Sequence, residues 1–354
     1  MHSIEVKGDA YAVGRALGEA GARAFHEVVV HLERFRALKR EWSESDRLAA
    51  LTGAARDAYP EYVREIEGIA DGAGADFGEL FLWNCRGDFP GGGDQEHAED
   101  AGCTTVMIPA RGQEPAIIAH NEDDQAELDG RCFVARVCPT DGIGFTSFCS
   151  PGLLPGHTFA VNDVGLVQTI NHIRPLDQKL GIPRHIIARA VLASAGLETA
   201  LAVLGRRDRA SGFHHNLGQA GGEALLSVEA PASACVVHRV TDVAVHSNHL
   251  VFAECADIPQ EIADSSASRQ RRGEALISQG ALEGRDASVV LGDGAEADLP
   301  ICRKSRGGTD PGYTLATGVF SVARDRVDWC VHAHPLEAPE LSGAWRRVGA
   351  PLTA

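Results

Sequence analysis

The stretch Glu99-Asp-Ala-Gly-Cys-Thr-Thr-Val-Met107 sets a thiol between a glycine and two β-branched residues. A thiol is a good nucleophile, but a free one is mostly protonated at about pH 7 and needs a base. If the chain cuts itself between Gly102 and Cys103, that base is supplied on the same residue. The new α-amino group has an unperturbed pKa of about 7.7–8.0 and can take the thiol proton. Gly102 leaves room for the sulfur to attack its carbonyl. Thr104 and Thr105 favour an extended backbone and hold Cys103 at a strand start. Taken alone, Gly-Cys-Thr-Thr also describes a buried, inert cysteine.

Asp100-Ala-Gly-Cys-Thr-Thr105 resembles the Asp-Gly-Cys-Thr-Thr motif of the acyl-coenzyme A:6-aminopenicillanic acid acyltransferase family. That family is a branch of the N-terminal nucleophile (Ntn) hydrolases, whose precursors cut before a cysteine. Here Ala101 is inserted between the acid and the glycine. The resemblance implies an α+β fold, a four-layer αββα sandwich preceded by a helical N-terminal segment. It implies residues 1–102 as the α subunit after self-cleavage and 103–354 as the catalytic β subunit, the two staying associated.

Further candidates follow from the needs of acyl transfer, a nucleophile with a base and with donors for the oxyanion. His120-Asn-Glu-Asp-Asp124 closes the second strand-like segment after Cys103, so a hairpin returns it to the new N-terminus. The family pattern Asn-x-Asp aligns Asn121 and Asp123, and implies that Asp123 holds the α-ammonium. Asn248, in His246-Ser-Asn-His249, resembles the family's oxyanion asparagine; the alternative is a turn residue after a strand. Asn162, in Asn162-Asp-Val-Gly165, resembles a turn near the nucleophile in related hydrolases and has the local logic of a β-turn. Ser268-Arg269 resembles a family Ser-Arg pair, with Arg269 implied to keep Asp123 ionised. The acids Glu122, Asp123, Asp124, Glu127 and Asp129 together would attract a cationic substrate.

The expected activity is hydrolysis of a small N-acyl amide through a thioester on Cys103. The alternatives are an acyl-CoA-dependent N-acyltransferase and an uncut, non-catalytic binding protein on the same fold. No cofactor and no metal is expected, because His246 and His249 lack an evident third ligand. The net charge of -16 argues against nucleic acid. Nine cysteines without a CxxC pair suit buried thiols in a reducing compartment. With no basic-then-apolar leader and no apolar run of membrane-spanning length, a cytoplasmic location is expected.

The elements that must position these residues divide at the nucleophile. Residues 3–8 read as a short edge strand, and helical periodicity covers Ala10 to about Arg40, Ser43 to Ala58 and Pro60 to about Ala70, followed by a short apolar helix over 77–85. A glycine-rich acidic linker begins at Pro90. From Cys103 the pattern turns to strands at 104–109, 115–120, 133–138, 144–149, 159–161, 166–170, 224–228, 235–240, 243–246, 313–323 and 327–332. Two helices interrupt them, 183–204 and 266–279.

Overall fold

Asp9 opens the first long helix by accepting the Ala12 N–H at 2.8 Å. The computed structural model describes residues 1–90, 102–222, 224–295, 298–304 and 312–347. The glycine-rich linker from Gly91 onward and the inserted Ala101 lie outside the described residues. The first strand, β1 (His2–Gly8), is followed by helices α1 (Ala10–Glu27), α2 (Glu33–Trp42), α3 (Asp46–Ala58), α4 (Pro60–Ala73) and α5 (Phe77–Asn84). Ser45 caps α3, Pro60 opens α4, and Asp76 caps α5. The helical stretch read from Ala10 to Arg40 is broken by a short 3-10 turn over Val29–His31.

Strands β2 (Gly102–Ile108) and β3 (Ala116–Gln125) form a hairpin, and β4 (Phe133–Pro139), β5 (Phe145–Cys149), β6 (Phe159–Asn162) and β7 (Leu166–His172) follow. The single helix expected over 183–204 is two, α6 (Arg184–Leu192) and α7 (Leu197–Leu204), parted near Gly196. Next come β8 (Phe213–Gln219), β9 (Leu225–Glu229), β10 (Val236–Val240), β11 (Ala244–His246), α8 (Asp264–Ser278) and α9 (Ser288–Leu291). The described chain closes with β12 (Gly312–Val322), β13 (Arg326–His332) and β14 (Leu341–Arg346). Strands β8 and β14 were not read from the sequence. β8 carries His214, His215 and Asn216, polar residues that are all buried.

The strands make two sheets. One has eight strands in the order β1-β4-β5-β6-β7-β8-β9-β10, and the other six in the order β11-β2-β3-β12-β13-β14. The β1–β4 pair is parallel, and the remaining named pairs are antiparallel. The sheets face one another: Phe159 meets Phe320 across the gap, and Thr105 on β2 reaches Asn171 on β7 at 2.9 Å. Helices α1, α6 and α7 pack on the eight-stranded sheet, and α8 and α9 on the six-stranded one. The main apolar core runs from Val6 and Phe25 to Val331, so the helical N-terminal segment shares it with the later strands. A smaller core of Val106, Ile108, Leu276, Val290 and Leu291 lies under α8 and α9.

Candidate active site

The hairpin register decides what surrounds Cys103. Gly102 pairs with Asp123, Cys103 with Glu122, Thr104 with Asn121, and Thr105 with His120. Residues His120–Asp124 therefore lie inside β3, where the sequence reading ended the strand and began a loop. Alternate residues of a strand point to opposite faces. Cys103, Thr105, His120 and Glu122 share the face toward the other sheet. Thr104, Asn121 and Asp123 share the face toward α8 and the segment around Arg303.

On the inner face the Cys103 Sγ lies 3.5 Å from Glu122 Oε2. The His172 backbone beside the sulfur favours its charged form. Glu122 Oε2 is 3.1 Å from His120 Nε2, and His120 Nδ1 is 2.8 Å from Thr105 Oγ1. Thr105 Oγ1 donates to Asn171 Oδ1 at 2.9 Å and accepts from Asn216 Nδ2 at 3.2 Å. Burial pushes the Cys103 thiol well above its ordinary value, and the nearby acids Glu122 and Asp123 push it further. Burial likewise raises Glu122 far above the usual carboxylate range, with Asp124 and Asp123 adding to the effect. Burial alone lowers His120 to about 3. Among the described residues, Cys103, His120 and Glu122 are compact enough to hold a metal ion, their ligand atoms lying within 4.8 Å of one another. Their donor and acceptor atoms are already joined to one another by hydrogen bonds. His246 and His249 do not form such a group among the described residues; His246 bonds Glu229 at 3.0 Å.

The backbone of Cys103 is held from the other side. Its N–H donates to Asn248 Oδ1 at 2.8 Å. Arg269 Nη1 donates to the Cys103 carbonyl at 2.6 Å and to Thr104 Oγ1 at 2.9 Å, while its Nη2 donates to Asn248 Oδ1 at 2.7 Å. Asn248 is fixed in turn: its Nδ2 donates to the His172 carbonyl at 2.9 Å, and its backbone N–H to Ser266 Oγ at 2.8 Å. Gly102 sits where any side chain would press on this cluster. A Cβ there would lie 2.7 Å from Arg269 Nη2 and 2.9 Å from Asn248 Oδ1.

The remaining candidates separate into neighbours and outliers. Asp123 accepts from Thr314 Oγ1 at 2.7 Å, and the guanidinium 3.8 Å from its other oxygen belongs to Arg303. The expected Arg269–Asp123 pairing is thus replaced by Arg303, with Arg269 turned to Cys103 and Asn248. A bulge in β12 between Thr314 and Ala316 sets Thr314 opposite Asp123. Asn121 donates to the Leu291 carbonyl at 2.8 Å and accepts from Thr317 at 2.7 Å, which ties β3 to α9 and β12. Ser268 bonds the Leu299 carbonyl at 3.2 Å. Asn162 lies away from the group. Its Oδ1 accepts the Val164 and Leu166 N–H groups, and its Nδ2 bonds the Leu192 and Ser194 carbonyls. It closes the β6–β7 turn, at the opposite end of β7 from His172. A strand of that length puts roughly 20 Å between the two ends.

The sequence reading passed over Arg303, Thr314 and His172, which come from distant segments with no local motif. It treated Glu122 only as one acid of a run. Extending the alternation of β3 by four residues would have placed Glu122 beside the thiol.

A family model for acyl-coenzyme A:6-aminopenicillanic acid acyl-transferase matches residues 110–335, beginning just downstream of Cys103. The chain is also similar to a beta-alanyl-dopamine/carcinine hydrolase of Drosophila melanogaster, 33% identical over 166 residues. That similarity covers 43% of this chain and 42% of the relative, so the chain spans well under half of the relative's length. The family match takes in the β3 acids, Asn248 and Arg269, the residues that the fold gathers around Cys103. On this match, the chain belongs to the acyl-coenzyme A:6-aminopenicillanic acid acyl-transferase family.

Proposed function

We propose that the chain is an amide hydrolase that cuts itself at Gly102–Cys103 and then uses Cys103 as an N-terminal nucleophile. The observation that carries this reading is the grip on one residue. Cys103 has its nitrogen on Asn248, its carbonyl on Arg269 and its sulfur beside Glu122. An inert core cysteine needs no such set of partners. After the cut the freed α-amine takes the thiol proton. The sulfur attacks the substrate carbonyl, and the protonated amine returns its proton to the leaving nitrogen. A thioester on Cys103 results, and water hydrolyses it.

In this reading Asn248 orients the α-nitrogen through Oδ1. One Nδ2 hydrogen is engaged by the His172 carbonyl, and the second serves the oxyanion. Asp123, paired in register with Gly102, supports the new ammonium group, with the Arg303 guanidinium beside it. Arg269 holds the Cys103–Thr104 peptide in place. The two facing sheets with helices on their outer sides support the αββα sandwich of Ntn hydrolases. The shared core and the β1–β4 pairing support two fragments, 1–102 and 103–354, that stay together after the cut.

The substrate we favour is a small amide with a cationic acyl part. The relative's name specifies β-alanyl amides, and a β-alanyl group carries a free amine. Most of the acidic run expected to attract such a cation is already paired. Asp124 binds Arg34 at 2.5 Å, Asp129 lies 3.6 Å from Lys304, and Asp123 lies by Arg303. Glu122 hydrogen-bonds the thiol and His120 rather than a Lys or Arg side chain, with the Arg86 charge acting on it from farther off. Competition between water and an added amine for a thioester donor separates hydrolase from acyltransferase.

The test is denaturing electrophoresis with N-terminal sequencing. Two fragments, one starting at Cys103, are expected from the wild type, and a single inactive chain from Cys103→Ala. A fully active preparation with an intact chain, or an active Cys103→Ala, would overturn the reading.

A further inference from the structure

The α-amine can act as base only after the cut. Before it, the Cys103 nitrogen is an amide that donates its hydrogen to Asn248, and an amide nitrogen accepts no proton. The first attack on Gly102 therefore needs another acceptor for the thiol proton.

The hydrogen bonds around the sulfur show where that acceptor is. Asn171 Oδ1 only accepts, so the Thr105 hydroxyl hydrogen points to it. Thr105 Oγ1 then accepts from His120, which puts the imidazole hydrogen on Nδ1 and leaves a lone pair on Nε2. That lone pair faces Glu122 Oε2 at 3.1 Å, a contact that needs a hydrogen between the atoms. Burial opposes a charged imidazole at His120 and a charged carboxylate at Glu122 alike, so the hydrogen belongs to a neutral Glu122. The same oxygen accepts from the Cys103 thiol at 3.5 Å. The result is a directed chain, S–H to O–H to N, held on adjacent positions of two paired strands.

We propose that Glu122 is a catalytic residue of the self-cleavage step, relaying the thiol proton with His120 as its positioning partner. As the S–C bond to Gly102 forms, the thiol hydrogen passes to Glu122 Oε2 while the carboxyl's own hydrogen moves to His120 Nε2. The carbonyl oxygen becomes the oxyanion. As the Gly102 C–N bond breaks, His120 returns its hydrogen to Glu122, and Glu122 gives one to the departing Cys103 nitrogen. Sulfur and nitrogen of one residue are three bonds apart, so one carboxyl serves both, directly or through one water. The products are a Gly102 thioester on Cys103 and a free α-amine, with Glu122 and His120 neutral as before. Water then releases the Gly102 carboxylate.

This inference rests on the self-cleavage reading, and its test separates the two. Freshly made wild type, Glu122→Gln, Glu122→Asp and His120→Gln are followed by denaturing electrophoresis and intact mass, with and without hydroxylamine, which splits any thioester already formed. Thermal unfolding midpoints check the fold. Glu122→Gln is expected to retain its fold and cut about 10²–10⁴-fold more slowly. Hydroxylamine should not restore its cutting, because the sulfur has not yet attacked. Glu122→Asp should recover part of the rate. His120→Gln should be slow and equally unresponsive to hydroxylamine. Glu122→Gln cutting at the wild-type rate, or releasing fragments at that rate on hydroxylamine, would overturn the relay while leaving self-cleavage standing. His120→Gln at the wild-type rate would remove His120 from it. A wild type that never cuts would sink both readings.

Discussion

Gly102 sits in tight quarters beside the nucleophile. Its missing side chain lets the Arg269 guanidinium and the Cys103 N–H both reach Asn248 Oδ1. The atoms that an added Cβ would strike, at 2.7 and 2.9 Å, are side-chain ends that can move, so the fold has a way to absorb the methyl group. The geometry around the scissile bond does not. Gly102→Ala is therefore expected to unfold within a few degrees of wild type. Its self-cleavage should slow by on the order of 10²-fold, the usual penalty for misplacing reacting groups by an ångström. A time course of fragment formation, paired with thermal melts, measures both. Cutting at the wild-type rate would show that the Arg269–Asn248 contact does not position the bond.

At the scale of elements, two helices approach more closely than side chains allow. α1 carries Gly14 and Gly18, and α4 carries Gly68 and Gly72. A Cβ at Gly14 would lie 1.9 Å from the Glu65 carbonyl oxygen, and one at Gly68 would lie 2.2 Å from that of Tyr11. These are backbone atoms, which no rotamer change can clear, so the helices would have to move apart. α1 also touches β1 and β4, so the shift would loosen the edge of the eight-stranded sheet. Gly68→Ala is expected to destabilise the protein by about 1–3 kcal/mol, the range for overpacking a tight interface. Denaturant unfolding measures it. An unchanged midpoint would mean that the helices can separate at no cost. The spacing of four between these glycines stands in the sequence, yet it signals a close crossing only once α1 and α4 are known to touch.

The whole molecule buries titratable groups of both kinds, and their balance sets its response to acid. Burial lowers His120, His157 and His215 to about 3, and pushes His172, His185 and His214 well below their ordinary value. A histidine that is neutral in the fold and free to protonate when unfolded contributes stability above about pH 6.5. That contribution is lost as the pH falls toward the folded value. Glu65, Asp88 and Glu122 are raised, Asp88 to about 6, and act in the opposite sense: their contribution is present at low pH and lost as the pH rises through the folded value. Among these groups six histidines oppose three acids, so stability should fall as the pH drops from about 6.5 toward 4. Unfolding midpoints across that window test it. A flat or rising profile on acidification would mean that the buried imidazoles already have protons or water at hand.

Much of this protein was decided locally. Cys103 between a glycine and two β-branched residues, and the helical periodicity ahead of it, are short-range patterns, legible because their physics is short-range; the Asn-x-Asp and Ser-Arg pairs were legible only through the family resemblance. Tertiary structure settled which of those residues meet. It set Glu122 beside the sulfur and Asp123 on the opposite face, drew Arg303 and Thr314 to Asp123, turned Arg269 to the Cys103 carbonyl, and left Asn162 at the far end of its strand. The physical reason is the two-residue period of a strand joined to a register that only cross-strand pairing fixes. One step along β3 exchanges the nucleophile's face for the helix-covered one, and nothing in the local run of acids shows where that strand ends.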